Sequence, residues 1–357
     1  MEEVGIVESP EYVQTSLAGA MALGLEPGSF YRNAYPGSLN LLMTYQDGCR
    51  ANCSYCGLAR QRRVEADNNT FIRVKWPAYK LAAIMKMLSK PPQAAAAKVQ
   101  KLGRICIAMI THPRAAGDCL TLVRQVHTAA QLPVSVLVSP TVLTDPGAFF
   151  RELKTAGAER VGIAVDAATP AIFAAMRGRP VNGPHRWDTY WAAIAQAAKV
   201  FACGYVSVHL IVGLGETEQE LVQTIGKAGD YGAQAHLFSF CPEPGSLLSQ
   251  QQPPAYGRYR RCQLAAFLLN RKQIRPDDIS FDRQGKITGF GRRLDELLGE
   301  NLAAGEPFMT SGCPNREGCV ACNRPYGNER PGPVLRNYPF QPETQDINSI
   351  KGQIWDD

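Results

Sequence analysis

Short apolar runs recur along the chain, separated by longer stretches with helical spacing. Candidate strands lie at Leu39–Thr44, Arg104–Ile110, Val134–Val138, Arg160–Val165, Val206–Val212 and Ala235–Phe240. Between them, apolar residues three and four positions apart predict helices near 78–89, 118–130, 146–156, 187–202, 216–231 and 255–271. The strand runs are rich in Val, Ile and Leu and read as free of polar alternation. That is the expectation for strands buried on both faces of a parallel sheet. Strand-then-helix units in series predict an α/β fold, a partial (β/α)6 barrel, over residues 39–275. Residues 1–38 offer no clear strand and read as an N-terminal cap. Residues 276–357, where Gly and Pro cluster, read as an extension closing over one barrel face. Lys90–Lys101 holds an Ala run between prolines and lysines and reads as a surface excursion.

Composition narrows the class. The 357 residues are 45% hydrophobic and 20% charged, which argues against disorder. Lys plus Arg number 38 and Asp plus Glu 32, so the net charge is +6. That excess permits an acidic partner without indicating nucleic acid, which usually calls for a clustered basic stripe. No apolar stretch is long enough to span a membrane. The start, MEEVGIVESPEYVQ, is acidic and unlike a secretion signal, so the expected location is the cytoplasm.

The eleven cysteines are the unusual feature. In a reducing compartment so many thiols rarely form disulfides. Cys106, Cys119, Cys203, Cys241 and Cys262 are scattered, mostly in apolar runs, and read as small buried hydrophobes. The other six form two triplets. Cys49-x3-Cys53-x2-Cys56 follows directly on the first candidate strand, at the barrel end where active sites sit. Cys313-x5-Cys319-x2-Cys322 lies in a Gly- and Pro-rich loop of the extension. Three close thiolates suit zinc or an iron–sulfur cluster. Structural zinc wants a fourth ligand, and the nearest histidine to the first triplet is His112. Local candidates to complete the second triplet are Ser311, Arg324 and Tyr326.

At the first triplet, with Tyr55 just before its last cysteine, the chain resembles the radical S-adenosylmethionine (SAM) superfamily. The resemblance implies a [4Fe-4S] cluster on Cys49, Cys53 and Cys56, whose open iron binds SAM for reductive cleavage to a 5′-deoxyadenosyl radical. It implies SAM contacts from Tyr55 beside the adenine, from Thr111 and His112 at the second strand end and from Asp166 on the ribose or amine. It also implies that Arg177 pairs with the SAM carboxylate and that the turn Gly213-Leu214-Gly215-Glu216 meets the adenine, with Glu216 opening a helix. A second [4Fe-4S]-type cluster on Cys313, Cys319 and Cys322 resembles the sulfur-inserting branch, the biotin and lipoyl synthases. Phe30-Tyr31-Arg32-Asn33-Ala34 and Cys322-Asn323-Arg324-Pro325-Tyr326 are most similar to the two-component, biotin-synthase-like lipoyl synthases. On that resemblance the expected reaction is sulfur insertion into an octanoyl chain on a carrier lysine, with the auxiliary cluster as sulfur donor. An apolar channel for the chain draws on Phe238, Phe240 and Phe290. The expected partners are an octanoylated lipoyl domain or glycine-cleavage H protein, a sister radical SAM subunit and a reductant such as ferredoxin or flavodoxin. The net +6 fits a docking face for an acidic carrier. Three alternatives stand beside this: a biotin synthase variant acting on dethiobiotin, a radical SAM dehydrogenase with an electron-relay cluster, and a zinc-stabilised binding protein without redox chemistry.

Overall fold

The computed structural model describes residues 6–65, 69–293, 296–297, 305–327 and 331–356. Residues 1–5 of the expected cap lie outside them. One eight-stranded sheet organises the chain. In chain order its strands are β1 (Tyr12–Thr15), β2 (Ser38–Met43), β3 (Ala78–Lys80), β4 (Arg104–Ala108), β5 (Val134–Val138), β6 (Ala158–Asp166), β7 (Val206–Val212) and β8 (Gln234–Ser239). The spatial order is β3-β1-β2-β4-β5-β6-β7-β8. From β2 to β8 all pairings are parallel and sequential, while β1 and β3 pair antiparallel at one edge. The result is the expected partial (β/α)6 barrel, extended by two edge strands. No helix among the described residues is long and apolar enough to cross a membrane.

Three expectations need correction. Residues 1–38 do contribute a strand: Tyr12–Thr15 joins the sheet, and helix Leu17–Leu23 follows it, capped by Ser16 and ended by a left-handed Gly24. Lys90–Lys101 contains helix Gln93–Val99, which buries Ala95 and Val99. The Ala run thus forms a helix packed on one narrow face. The strands, moreover, do alternate. Leu39, Leu41, Ile105, Ile107, Val134, Val136, Val161 and Ile163 are fully buried or nearly so. The intervening positions hold Asn40, Cys106, Ser135 and Gly162, and further along Ser207, His209 and His236. Register sets Asn40 beside Cys106 and Cys106 beside Ser135 in one row. Gly162 stands beside Ser207, and His209 beside His236. The large branched residues pack under the helices, and the small or polar ones face the barrel interior. Small residues hide in a Val/Ile-rich run, so the period of two is easily read as a continuous apolar strand.

The open edge of β8 is sealed by side chains. Asn270, on helix Tyr256–Asn270, accepts from the Ala235 amide at 2.9 Å and donates to its carbonyl at 2.8 Å. Ser311 Oγ accepts from the Leu237 amide at 3.2 Å. Unpaired strand edges are thus covered by the extension. A second apolar cluster joins the extension to the barrel through Val222, Leu264, Leu268, Ile287, Phe308, Tyr338 and Ile350. Two buried arginines of the same helix reinforce the join. Arg261 pairs with Glu218 at 2.6 Å, and Arg260 donates to the backbone carbonyls of Leu335 and Arg336. Phe290 belongs to this second cluster, so it does not line the barrel as expected. Phe238 does face the interior, with its ring 5.1 Å from that of His209.

Candidate functional site

The first triplet sits on the long loop after β2, at the C-terminal end of the parallel strands. The chain there is held by backbone bonds to segments that follow three of the strands. Arg50 N donates to Thr111 O and Ser54 N to Met176 O, both at 2.8 Å, and Leu248 N donates to Ser54 O at 3.1 Å. Asn52 ties the loop to itself through Gln61 and to Val181 O. Beyond the last cysteine, Gly57 passes so close to Thr70 that a Cβ there would lie 2.3 Å from its carbonyl oxygen. Glu243, which the sequence reading did not single out, clamps this segment by accepting from Thr70 Oγ1 and from the Arg73 amide at 2.7 Å each.

The three thiols lie close enough to affect one another. Burial pushes the Cys53 thiol up to about 11, Arg177 opposes that rise, and Asp166 and Cys49 add to it. Burial raises Cys56 strongly, with Cys53 and Cys49 adding to the rise, while the Leu58 amide donates to its sulfur at 3.3 Å. Thiols so raised need a cation to hold them as thiolates. None of the eleven cysteines is in a disulfide. Three uncrosslinked thiols on one loop are a donor set that an iron–sulfur cluster takes.

The expected SAM contacts surround this loop. Tyr55 donates to Asp166 Oδ2, which also takes Arg177 Nη1 at 2.8 Å. Asp166 itself sits at a φ of +64, at a register shift between β6 and β7, which turns its side chain off the strand. Arg177 is buried. It also donates to the carbonyls of Ala164 and Val165 and, at 3.0 Å, to Tyr190. Its guanidinium therefore anchors Asp166 and the β6 end through Nη1 and Tyr190 through Nη2, while its Nε is buried without a hydrogen-bond partner. Tyr190 and His185, both missed in the sequence, continue the network to Thr141. Burial, with help from Arg177, drops His185 to about 2, so it stays neutral. Helical spacing alone gave Tyr190 no distinguishing signal.

Thr111 shares a hydrogen bond with Ser139 at 3.1 Å. His112 stacks on Tyr45, with centroids 3.7 Å apart, and its Nε2 lies 3.0 Å from Asp47. Glu216 does not open the helix. Thr217 caps it, and Glu216 folds back to accept from the Gly213 and Leu214 amides at 2.8 and 2.9 Å. Gly213 and Gly215 have φ of +108 and +113, conformations open to glycine and strained for other residues. Arg258 pairs with Glu216 at 2.7 Å and fixes the turn from outside.

The second triplet lies at the opposite, N-terminal end of the strands. Arg104, the first residue of β4, donates to Pro314 O and pairs with Glu159. The Gly37 amide, just before β2, donates to Asn323 Oδ1 at 2.9 Å. Cys322 is buried and its thiol points to Asn40 Oδ1 at 3.7 Å. Arg324 Nη1 approaches the same sulfur at 3.5 Å, while its guanidinium lies over Phe238. Cys313 is half-buried. Cys319 is exposed on an outer turn, its amide bound to Asn315 Oδ1. Of the local candidates to complete this set, Arg324 reaches a triplet sulfur. Ser311 is engaged by Leu237, and Tyr326 accepts from the Tyr31 amide at 2.8 Å. That last bond joins the two loop motifs: Phe30 also stacks parallel to Tyr326, centroids 6.2 Å apart. The scattered cysteines are not uniformly core. Cys119 and Cys262 are buried, but Cys203 is exposed, Cys241 is partly exposed and Cys106 faces the barrel interior.

The sequence profile of the radical SAM superfamily matches residues 43–228. No curated protein sequence matches the chain. Among solved structures it is similar to methylornithine synthase (PylB), at 14% identity and TM-score 0.47 over 71% of this chain and 66% of that one. It is also similar to the FeFe-hydrogenase maturase HydG from Carboxydothermus hydrogenoformans, at 13% and 0.49 over 87% and 73%. A third is the radical SAM methyltransferase TsrM from Kitasatospora setae, at 14% and 0.40 over 83% and 57%.

Proposed function

Starting from a chain that belongs to the radical SAM superfamily, we propose that it inserts sulfur into an unactivated C–H bond of a protein-bound octanoyl-lysine chain. The observation that carries this reading is the pair of thiol sets at the two ends of one barrel interior. From the Asn40 level to Tyr45 the separation is about 16 Å, five residues at roughly 3.3 Å each. A substrate reaching into the barrel would lie between them, which is a matter of proximity and orientation.

When bound, the first cluster and SAM supply the radical that removes hydrogen, and a second cluster supplies the sulfide together with an iron that takes up the remaining electron. The protein's part is to hold and shield. Cys49, Cys53 and Cys56 would ligate the first cluster, with Tyr55, Asp166 and Arg177 holding the loop to the β6 end. At Gly215 nothing stands within 4 Å of where a Cβ would be, which leaves the backbone of the turn open to a flat ring, while Gly213 packs against Pro254 and Phe240. Cys313 and Cys322, with Cys319 from the outer turn, would hold the second cluster. The packing of Tyr31 and Phe30 on Tyr326 supports the lipoyl-synthase reading, because the two motifs that carry the resemblance form one structural unit beside that triplet. An octanoylated lipoyl domain or H protein, a sister subunit and a ferredoxin- or flavodoxin-like reductant are the proposed partners.

One observation favours a second reading, a biotin synthase variant. The interior rows hold Asn40, Ser207, His209 and His236, and His236 Nδ1 is buried without a hydrogen-bond partner. Such groups suit a polar ring such as that of dethiobiotin better than an alkyl chain. Anaerobic reaction with SAM and reductant decides between them. Gain of one sulfur by an octanoyl-lysine peptide, with dethiobiotin unchanged, supports the first reading. The reverse preference supports the second, and SAM cleavage with no sulfur in either product overturns both.

A further inference from the structure

The barrel wall carries a thiol that the proposed function does not use. Cys106 is the third residue of β4, and its register neighbours are Asn40 on β2 and Ser135 on β5. Register neighbours in parallel strands present their side chains to the same face. The residues flanking it, Ile105 and Ile107, are fully buried in the apolar core on the other face. Asn40 is the group that the Cys322 thiol reaches at 3.7 Å. Cys106 therefore stands one strand, about 4.8 Å, from the point where Cys322 enters the barrel.

The groups around this point agree with the placement. The Cys322 amide donates to the Cys313 carbonyl at 3.1 Å, which brings these two loop residues together. Ser135, the register neighbour of Cys106, is only 2% exposed, and its Oγ has no hydrogen-bond partner. Arg324 Nε is likewise buried and unpartnered, while its Nη1 sits on Cys322. Buried polar groups without partners around three uncrosslinked thiols mark a place where a ligand belongs. Cys319, by contrast, is exposed.

We propose that Cys106 is a ligand of the C-terminal iron–sulfur cluster, and that with Cys313 and Cys322 it anchors that cluster to the barrel wall. The inference rests on the two-cluster reading and names a ligand that neither triplet contains. A cluster so held is fixed to β4 as well as to a Gly- and Pro-rich loop.

The test is anaerobic reconstitution of the full-length chain with iron and sulfide, read by iron and sulfide content and by Mössbauer spectroscopy. Cys106→Ala and the near-isosteric Cys106→Ser are compared with Cys119→Ala, a buried thiol remote from both triplets. The expected result is loss of about half the bound iron, one cluster's share, in both Cys106 variants and none in Cys119→Ala. The reduced first cluster should keep its electron paramagnetic resonance signal and the change that SAM induces in it. Cys106→Ser guards against a folding defect, since it preserves volume in the wall. Two clusters' worth of iron in both Cys106 variants overturns this inference alone. Iron for only one cluster in the wild-type chain overturns the two-cluster reading and this inference with it.

Discussion

The two cysteine triplets use the same barrel in opposite ways. The first lies on a loop whose backbone is bonded to three other segments, Thr111 just after β4, Met176 on the helix after β6 and Leu248 in the loop after β8. The second lies on a loop whose own side chains do the holding, through Asn315 and Asn323, and its cysteines divide between the interior and the surface. A site built on strand ends inherits the rigidity of the sheet. A site on an appended loop must borrow rigidity, here from Arg104, from the Tyr31–Tyr326 contact and from the barrel wall itself. On the proposed two-cluster reading, the difference would suit a division of labour in which the first cluster persists and the second is consumed and rebuilt.

The largest expected effects separate the two ends. Cys49→Ala, Cys53→Ala or Cys56→Ala should reduce 5′-deoxyadenosine formation to that of a protein-free control, because SAM binding needs the iron these thiolates hold. Normal formation by any one of them would remove the catalytic role of the loop. Cys313→Ala and Cys322→Ala should cleave SAM at near the wild-type rate, lose about four irons per chain and yield no sulfur in the product. Cys319→Ala, altering an exposed thiol, should show the mildest loss of the three. Equal and complete loss in all three would erase the distinction between inner and outer thiols.

How much of this could be read in advance also differs between the two ends. The first triplet, its place after a strand and the six parallel strands were legible, because cysteine spacing and branched apolar runs are local signals. The N-terminal strand Tyr12–Thr15 was not, since it is an antiparallel edge strand whose pattern only makes sense beside β2. The local partners of Arg177 and Glu216 were not legible either. Sequence marks one as a charge at a helix end and the other as a charge after a strand, but only the fold reveals that Arg177 holds Asp166 and that Glu216 takes two amides. Cys106 was read as packing because Ile105 and Ile107 flank it. Its link to Cys322 runs over more than two hundred residues of chain, and no local pattern encodes that.

The next prediction concerns the stability of the first end. Arg177 and Asp166 form a buried pair, with side chains 6% and 13% exposed. Removing one partner of such a pair leaves the other charge uncompensated, at a cost of about 3–5 kcal/mol. Arg177→Met should therefore lower the unfolding free energy by that amount, read as a fall in the denaturant midpoint at unchanged slope, and also loosen Asp166, the partner of Tyr55. Asp166→Asn, which keeps the shape and removes the charge, should raise the KM for SAM more than it lowers stability. A variant that loses neither stability nor SAM affinity would mean that the β6 end is held without this network.

The smallest expected effect tests how the second end borrows its rigidity. Arg32, next to Tyr31, reaches Asp346 of the C-terminal helix Thr344–Gln353 with two hydrogen bonds, at 3.0 and 2.6 Å, and lies over Phe340 at 4.6 Å. Burial raises the Asp346 carboxyl, but the Arg32 bonds and the Glu343 amide outweigh it, so the group ends below its ordinary 3.8. The unfolded chain then binds this proton more readily than the folded one. The pair's contribution is fully present above 3.8 and is lost as pH falls through the lower folded value. Hydrogen bonds to a charged group contribute about 1.5–3 kcal/mol, and the partial exposure of Arg32 argues for the lower figure. Arg32→Gln should lower the thermal midpoint by a few degrees at neutral pH and show a smaller further loss than the wild type on acidification. It should leave SAM cleavage untouched, because the strap acts at the N-terminal end of the strands. Equal acid sensitivity in the two chains would mean that Asp346 is held by the Glu343 amide alone, and that the N-terminal loop lends the second triplet no support through this pair.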